Sequence, residues 1–486
     1  MMFSNLTDFP IGLKGIAKLS DKGVKIVDAD RFRDEVIDEL CWSAVFARHE
    51  AVRDTARWII WEAANELGAP AASIQDLYTA RGQNKYQSVC VPAVNLRGQT
   101  YETARAMFRA CEELNAGPFI FEIAKSEMGY CEQRPAEFVT GVLAGAIKEG
   151  YEGPVYIQGD HFQVNLKKYN EDPVKEMAGV KDLIEEALAA GYYNIDIDTS
   201  TLVDLDRKTI KEQQELNYSL GAELTAHIRK LQPEGIMVSV GGEIGEVGGK
   251  NSNAEELEAY VDGYNETLAK LAPGATGLSK VSVQTGTSHG GVPLPDGSVA
   301  EVNLDFGVLE DLATVCRDKY GISGTVQHGA STLPDEAFHR FKEAQAAEVH
   351  LATGFQNIVM DHPIFPDSLK ERMYGWLAIN TAKERKEGQT DEQFFYKTRK
   401  KAWGAFKQET WELEETQMST IMRELQSKFI FLFDQLGLKD SKHLIKEFTK
   451  TVKIKHEIPS IFAQLLSNPQ AFGMQHGAAE DEPGAD

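Results

Sequence analysis

In the stretch QGDHFQVN, residues 158–165, Asp160 and His161 stand side by side at the end of an otherwise apolar run. A carboxylate beside an imidazole can move a proton or hold a cation. Two further histidines, His289 in SHGG and His328 in QHGAS, also close apolar runs, and each is followed by a glycine that lets a ligand approach the backbone closely. Carboxylates fall at the same kind of position: Asp196 and Asp198 in NIDIDTS, and Glu243 in SVGGEIG. A lone histidine at a strand end is more often a hydrogen-bonded structural group than a ligand. Imidazoles on three separate segments favour a divalent-metal site, because zinc accepts three nitrogen ligands and keeps a fourth position for substrate. Asp198 reads either as a strand-end cap or as a hydrogen-bond partner that orients a ligand.

These residues need a scaffold that brings distant segments to one place. From about residue 88, eight short apolar runs alternate with amphipathic stretches: SVCVPAVNL, PFIFEIA, PVYIQGDH, YNIDIDT, IMVSVGGEIG, KVSVQTGT, ISGTVQHG and AEVHLAT. Stretches such as YETARAMFRACEELNAG and VKDLIEEALAAG have helical spacing. Eight β/α units predict a closed parallel (β/α)8 TIM barrel, in which the chemistry collects where strands end. A doubly wound open sheet is the alternative, but no GxGxxG follows the first run. The expected organisation is an N-terminal helical extension over 1–85, the barrel over 86–365, a C-terminal helical extension over 366–470 that covers the barrel or builds an oligomer interface, and a disordered acidic tail over 471–486. Residues 30–68 read as helical.

Composition narrows the class of partner. With a formal net charge of -23, nucleic acid and anionic membrane are poor partners, and small molecules or proteins are expected instead. No apolar run approaches the ~18–20 residues that span a bilayer, and the N-terminus lacks a signal core, so a cytoplasmic location is expected. Five scattered cysteines without a Cys-x-x-Cys pair read as reduced, buried thiols. His49, His227, His339, His443, His456 and His476 fall in helices or tails and read as surface or packing residues.

In order along the chain, GDH, SVGGEIGEVGG, TGTSHGG, VQHGAST and EVHLATGFQ resemble the strand ends of class II, metal-dependent ketose-bisphosphate aldolases, over residues 88 to 360. GDHFQVN and MGYCEQRPAEF also resemble the large subunit of tagatose-bisphosphate aldolase, a relative often regarded as non-catalytic. The resemblance implies that His161, His289 and His328 bind Zn2+ or another divalent transition metal, with Glu243 and Asp198 as alternative ligands or orienting groups, and a monovalent cation as an option. It assigns Asp160 as the general acid/base. It implies an anion cradle from Gly290, Gly329, Ser331, Ala352 and Thr353, and a phosphorylated sugar as ligand, with fructose 1,6-bisphosphate as the default. A homo-oligomer is expected.

The chain departs from that pattern in three places. The lysine expected shortly after His289 is missing from HGGVPLPDG; Lys250 and Asn251 replace the glutamates expected after the strand-five glycine pair, leaving Glu246 as substitute for proton transfer; and His350 takes a substrate-binding asparagine's place, with Glu348 where a lysine is common. Lys125, in FEIAKSE, suggests a Schiff-base alternative but reads rather as a contact to an anionic substrate. Two other classes stay open: an epimerase of a ketose sugar acid using the same retro-aldol chemistry, and a non-catalytic aldolase partner.

Overall fold

The computed structural model describes residues 3–244, 250–286 and 304–473. Its centre is a closed barrel of eight parallel strands: β1 (Val91–Asn95), β2 (Ile120–Ala124), β3 (Val155–Gln163), β4 (Asn194–Asp198), β5 (Ser239–Glu243), β6 (Lys280–Ser282), β7 (Thr325–Gln327) and β8 (Glu348–Leu351). Each strand pairs with its sequence neighbour, and β8 pairs with β1 to close the ring. All eight predicted runs are barrel strands. Apart from His161 and Gln163 at the end of β3, their residues are buried on both faces, as a parallel strand between a packed interior and an outer helix layer must be.

The outer layer includes α1 (Thr100–Leu114), α2 (Pro135–Lys148), α3 (Pro173–Ala190), α4 (Glu215–Leu231), α5 (Ala254–Leu271), α6 (Phe306–Tyr320), α7 (His339–Glu343) and α8 (Thr353–Met360). Starts and stops follow local chemistry. Asp172 accepts from the Lys175 amide and Asn253 from the Glu256 amide at the starts of α3 and α5, while Gly191 and Gly321 end α3 and α6 in left-handed backbone.

The expected helical stretch over 30–68 is broken: its two main helices, Ile37–Phe46 and Glu50–Glu66, are separated at Ala47, whose backbone is extended. Beyond α8, the long helix Glu415–Gln435 lies along α1. The two ends of the chain meet: Trp61 Nε1 and Asn65 Nδ2 donate to the Ile454 carbonyl at 2.7 and 2.8 Å, and the Trp61 and His456 rings stack 3.8 Å apart. All five cysteines are free and buried. No helix among the described residues is long and apolar enough to cross a membrane. The acidic tail lies outside the described residues from 474 onward.

Candidate active site

Strand β3 does not stop at His161, where its apolar run ends, but continues to Gln163 through an irregularity. Pairing with β4 shifts register between Gly159 and Phe162, and His161 has φ 43°. A non-glycine residue in left-handed backbone is costly, by about 1–3 kcal/mol, and a bulge of this kind re-aims a side chain. Here Asp160 and His161, which a regular strand would send to opposite faces, both reach the mouth of the barrel. His161 Nε2 and His328 Nε2 each lie 3.6 Å from Asp160 Oδ1. The His161 and His328 ring centroids are 4.3 Å apart.

Hydrogen bonds behind the rings settle how they are presented. His161 Nδ1 lies 3.1 Å from Asp198 Oδ2 and 3.4 Å from Glu243 Oε2, so Nδ1 carries a proton toward these carboxylates and Nε2 is the nitrogen turned to Asp160 and the cavity. Asp198 is fixed in turn by Gln163 Nε2 at 2.6 Å and Ser200 Oγ at 2.6 Å. Its carboxyl is held down at about 2, because hydrogen bonding and the His161 charge outweigh burial. Glu243 is pushed up to about 7 by burial and by Asp198. His328 Nδ1 is 2.8 Å from Ser282 Oγ, and burial together with the neighbouring imidazoles keeps this ring neutral. His161 differs: burial opposes its charge, but Asp160, Asp198 and Glu243 raise its pKa well above the ordinary value.

The atoms that face Asp160 suit a metal. One ligand atom each from His161, His328 and Asp160 falls within 4.8 Å of the other two. Bonds of ~2.1 Å in a tetrahedral site place ligand atoms about 3.4 Å apart, close to what is seen. Asp198 and Glu243 approach His161 on the Nδ1 side, where they orient the ring. His289, Gly290 and Glu246 lie outside the described residues.

Under this group lies a buried polar layer that the sequence reading did not assemble. His350 Nδ1 is 3.3 Å from Asp160 Oδ1 and 3.2 Å from Glu122 Oε1, while its Nε2 is 2.6 Å from Glu348 Oε1. Lys280 Nζ bridges Glu348, Asp196 at 3.0 Å and Gln158 Oε1 at 2.7 Å, and Tyr78 donates to Glu348. Burial opposes the His350 charge, yet these carboxylates raise its pKa well above the ordinary value, and they hold the Lys280 ammonium charged against burial in the same way. Gly241 makes room for the layer, since a Cβ there would fall 2.3 Å from Asp196 Oδ1. The available signal was a charge inside each apolar run: Glu122 in PFIFEIA, Lys280 in KVSV and Glu348 in AEVHL.

Above the imidazoles opens a cavity of about 520 Å³. Gly329, Ser331, Ala352, Thr353, Arg97 and Lys125 are among the residues that line it. Lys125 Nζ donates to the Gln163 carbonyl at 2.7 Å and stands 3.4 Å from Glu176, while burial outweighs that carboxylate and lowers the Lys125 pKa below the ordinary value.

A family model described as class-II fructose-bisphosphate aldolase matches residues 75–416. No curated protein compared with the chain matches it. Among solved structures, a probable tagatose 6 phosphate kinase from Sinorhizobium meliloti 1021 superposes with TM-score 0.51 at 16% identity, covering 74% of this chain and 99% of that chain. A fructose-bisphosphate aldolase from Campylobacter jejuni gives TM-score 0.45 at 17% identity, covering 76% and 93%. At such identity the first likeness speaks to the fold alone.

Proposed function

We propose, from the premise that the chain belongs to the class-II fructose-bisphosphate aldolase family, that it reversibly cleaves a phosphorylated ketose, with fructose 1,6-bisphosphate the default substrate. The observation that carries this reading is the approach of His161 Nε2 and His328 Nε2 to one oxygen of Asp160. It puts a base beside two imidazoles suited to a cation. A divalent metal held by His161 and His328, with His289 as the third ligand, would supply the Lewis acidity that polarises the ketose carbonyl. Asp160 takes the proton from the hydroxyl beyond the breaking bond. The oxygen's electrons form the aldehyde, the carbon–carbon bond breaks, and its pair passes to the enediolate of the other fragment. In condensation the same carboxyl returns the proton. Burial opposes ionisation of Asp160, but the charges and hydrogen bonds of His161, His328 and His350 hold its carboxyl well below the usual range, so the base form is present near neutral pH. Asn95 Nδ2 donates to its other oxygen at 3.3 Å and fixes its direction.

The test uses Asp160→Ala protein with its metal content, melting temperature and turnover measured on one preparation. Cleavage is expected to fall by about 10²- to 10⁴-fold with metal near normal. Full turnover in the stable, metal-loaded variant would overturn the role of Asp160. For the wild type, stripping the metal should abolish cleavage and returning it should restore it. Trapping the triose product separates cleavage from epimerisation of a sugar acid, which conserves all carbons.

A further inference from the structure

One wall of the cavity is built partly from outside the barrel. Among the described lining residues, Lys400 alone comes from beyond α8. It sits just before the short helix Ala402–Ala405, which packs on the helix Lys125–Tyr130 that follows β2. Lys400 Nζ stands 5.8 Å from the centroid of the Tyr130 ring. The Tyr130 hydroxyl donates to Glu127 Oε1 at 3.2 Å, and Arg97 Nε donates to the same oxygen at 2.7 Å. Arg97 reaches on with Nη1 to Thr353 Oγ1 at 3.2 Å. Ser331 is packed against the start of α8, where a Cβ on Gly354 would fall 2.5 Å from the Ser331 carbonyl oxygen. Lys400, Arg97, Thr353 and Ser331 therefore share one wall.

The charges on this wall do not cancel. Glu127 is paired with Arg97. Among the described residues, no carboxylate is an ion-pair partner of Lys400, in contrast to its neighbour Lys401, which is 2.6 Å from Glu384, and to Lys125. Burial and the Arg97 charge press the Lys400 ammonium toward its neutral form and outweigh the opposing charge of Glu127. An anion beside Lys400 would relieve this. In a protein of net charge -23, an unpaired cation lining the cavity above the candidate metal ligands has a specific use.

We propose that Lys400 is a substrate-specificity residue: with Arg97 and the hydroxyls of Ser331 and Thr353 it binds a phosphate group of the substrate, a role that takes its substrate class from the aldolase reading. A guanidinium, an ammonium and two hydroxyls offer donors enough for the three oxygens of a phosphate. The helical extension after the barrel thus completes the site in cis. It places a cation on the cavity wall.

The experiment titrates inorganic phosphate into the full-length, metal-loaded protein by calorimetry, then measures KM and kcat with a ketose bisphosphate. Lys400→Gln is expected to weaken phosphate binding about tenfold or more and to raise KM with kcat little changed, the pattern of a lost ground-state contact to a charged group. Lys400→Arg should recover most of the loss. Lys401→Gln should match the wild type. Phosphate binding and KM unaltered in Lys400→Gln would overturn the proposal, as would a wild type that binds neither inorganic phosphate nor a ketose phosphate. If phosphate binding depends on Lys400 but no ketose is cleaved, the subsite stands and the aldolase reading falls. If cleavage occurs with a KM indifferent to Lys400, the reverse holds.

Discussion

Asp198 Oδ2 lies 3.1 Å from His161 Nδ1, on the side of the ring away from Asp160. The contact fixes the plane of the imidazole and keeps Nδ1 protonated, and the residue already sits in strained backbone at φ 43°. Carboxylates in this position raise the basicity of a ligand, and their loss typically costs about 10- to 100-fold in metal affinity or activity. Asp198→Asn is therefore expected to bind metal about 10- to 100-fold more weakly, read by competition with a chelator, while circular dichroism shows an intact barrel. Metal affinity equal to the wild type would mean that Asp198 only caps the end of β4. In the metal-free protein His161 is held protonated by its carboxylate neighbours, so metal uptake should release a proton and strengthen as pH rises.

His456 supplies a pH test far from the site. Its ring stacks on Trp61 and burial depresses its pKa to about 4, against 6.5 for an ordinary histidine. The folded state keeps it neutral while the unfolded chain takes up a proton as pH falls through 6.5. The stability it contributes is fully present above about 6.5, is lost progressively as pH falls, and levels off near 4. His456→Phe, which keeps an aromatic ring on Trp61, should show a shallower loss of stability across that window, by at most about 1.4 kcal/mol per pH unit. Denaturant unfolding at several pH values measures it. Parallel pH profiles for variant and wild type would sink the assignment.

The barrel could be read in advance because its signal is local. Each strand is a short run that must be apolar on both faces, and Asp160, His161 and His328 interrupt such runs at their ends. The bulge at Gly159–Phe162 was not legible, since it follows from how β3 pairs with a strand more than thirty residues on. Nor was the stack of His456 on Trp61, which joins the two ends of the chain. Lys400 escaped for the same reason. It lies in TRKKAWG, an ordinary basic stretch, and only the folded chain sets it above Tyr130. Charges inside apolar runs were visible one by one, but their partners depend on the order in which the strands close.

The pair that best tests this closed layer is Lys280 and Glu348, on β6 and β8, whose side chains are 1% and 0% exposed. Removing one partner strands the other charge in the barrel interior. Breaking a buried pair in this way costs about 3–5 kcal/mol, whereas replacing both partners with apolar groups of similar volume is often nearly neutral. Lys280→Met and Glu348→Leu should each lower stability by about that amount. The double variant should lose less than the sum of the two. A complication is that Glu348 also serves His350 and Tyr78, and Lys280 also serves Asp196 and Gln158, so the double variant should remain below the wild type. Denaturant unfolding of the four proteins at one pH gives the coupling energy. Additive losses would mean that the two side chains are held independently by the rest of the layer, and the pair would then contribute nothing of its own to closing the barrel beneath His350.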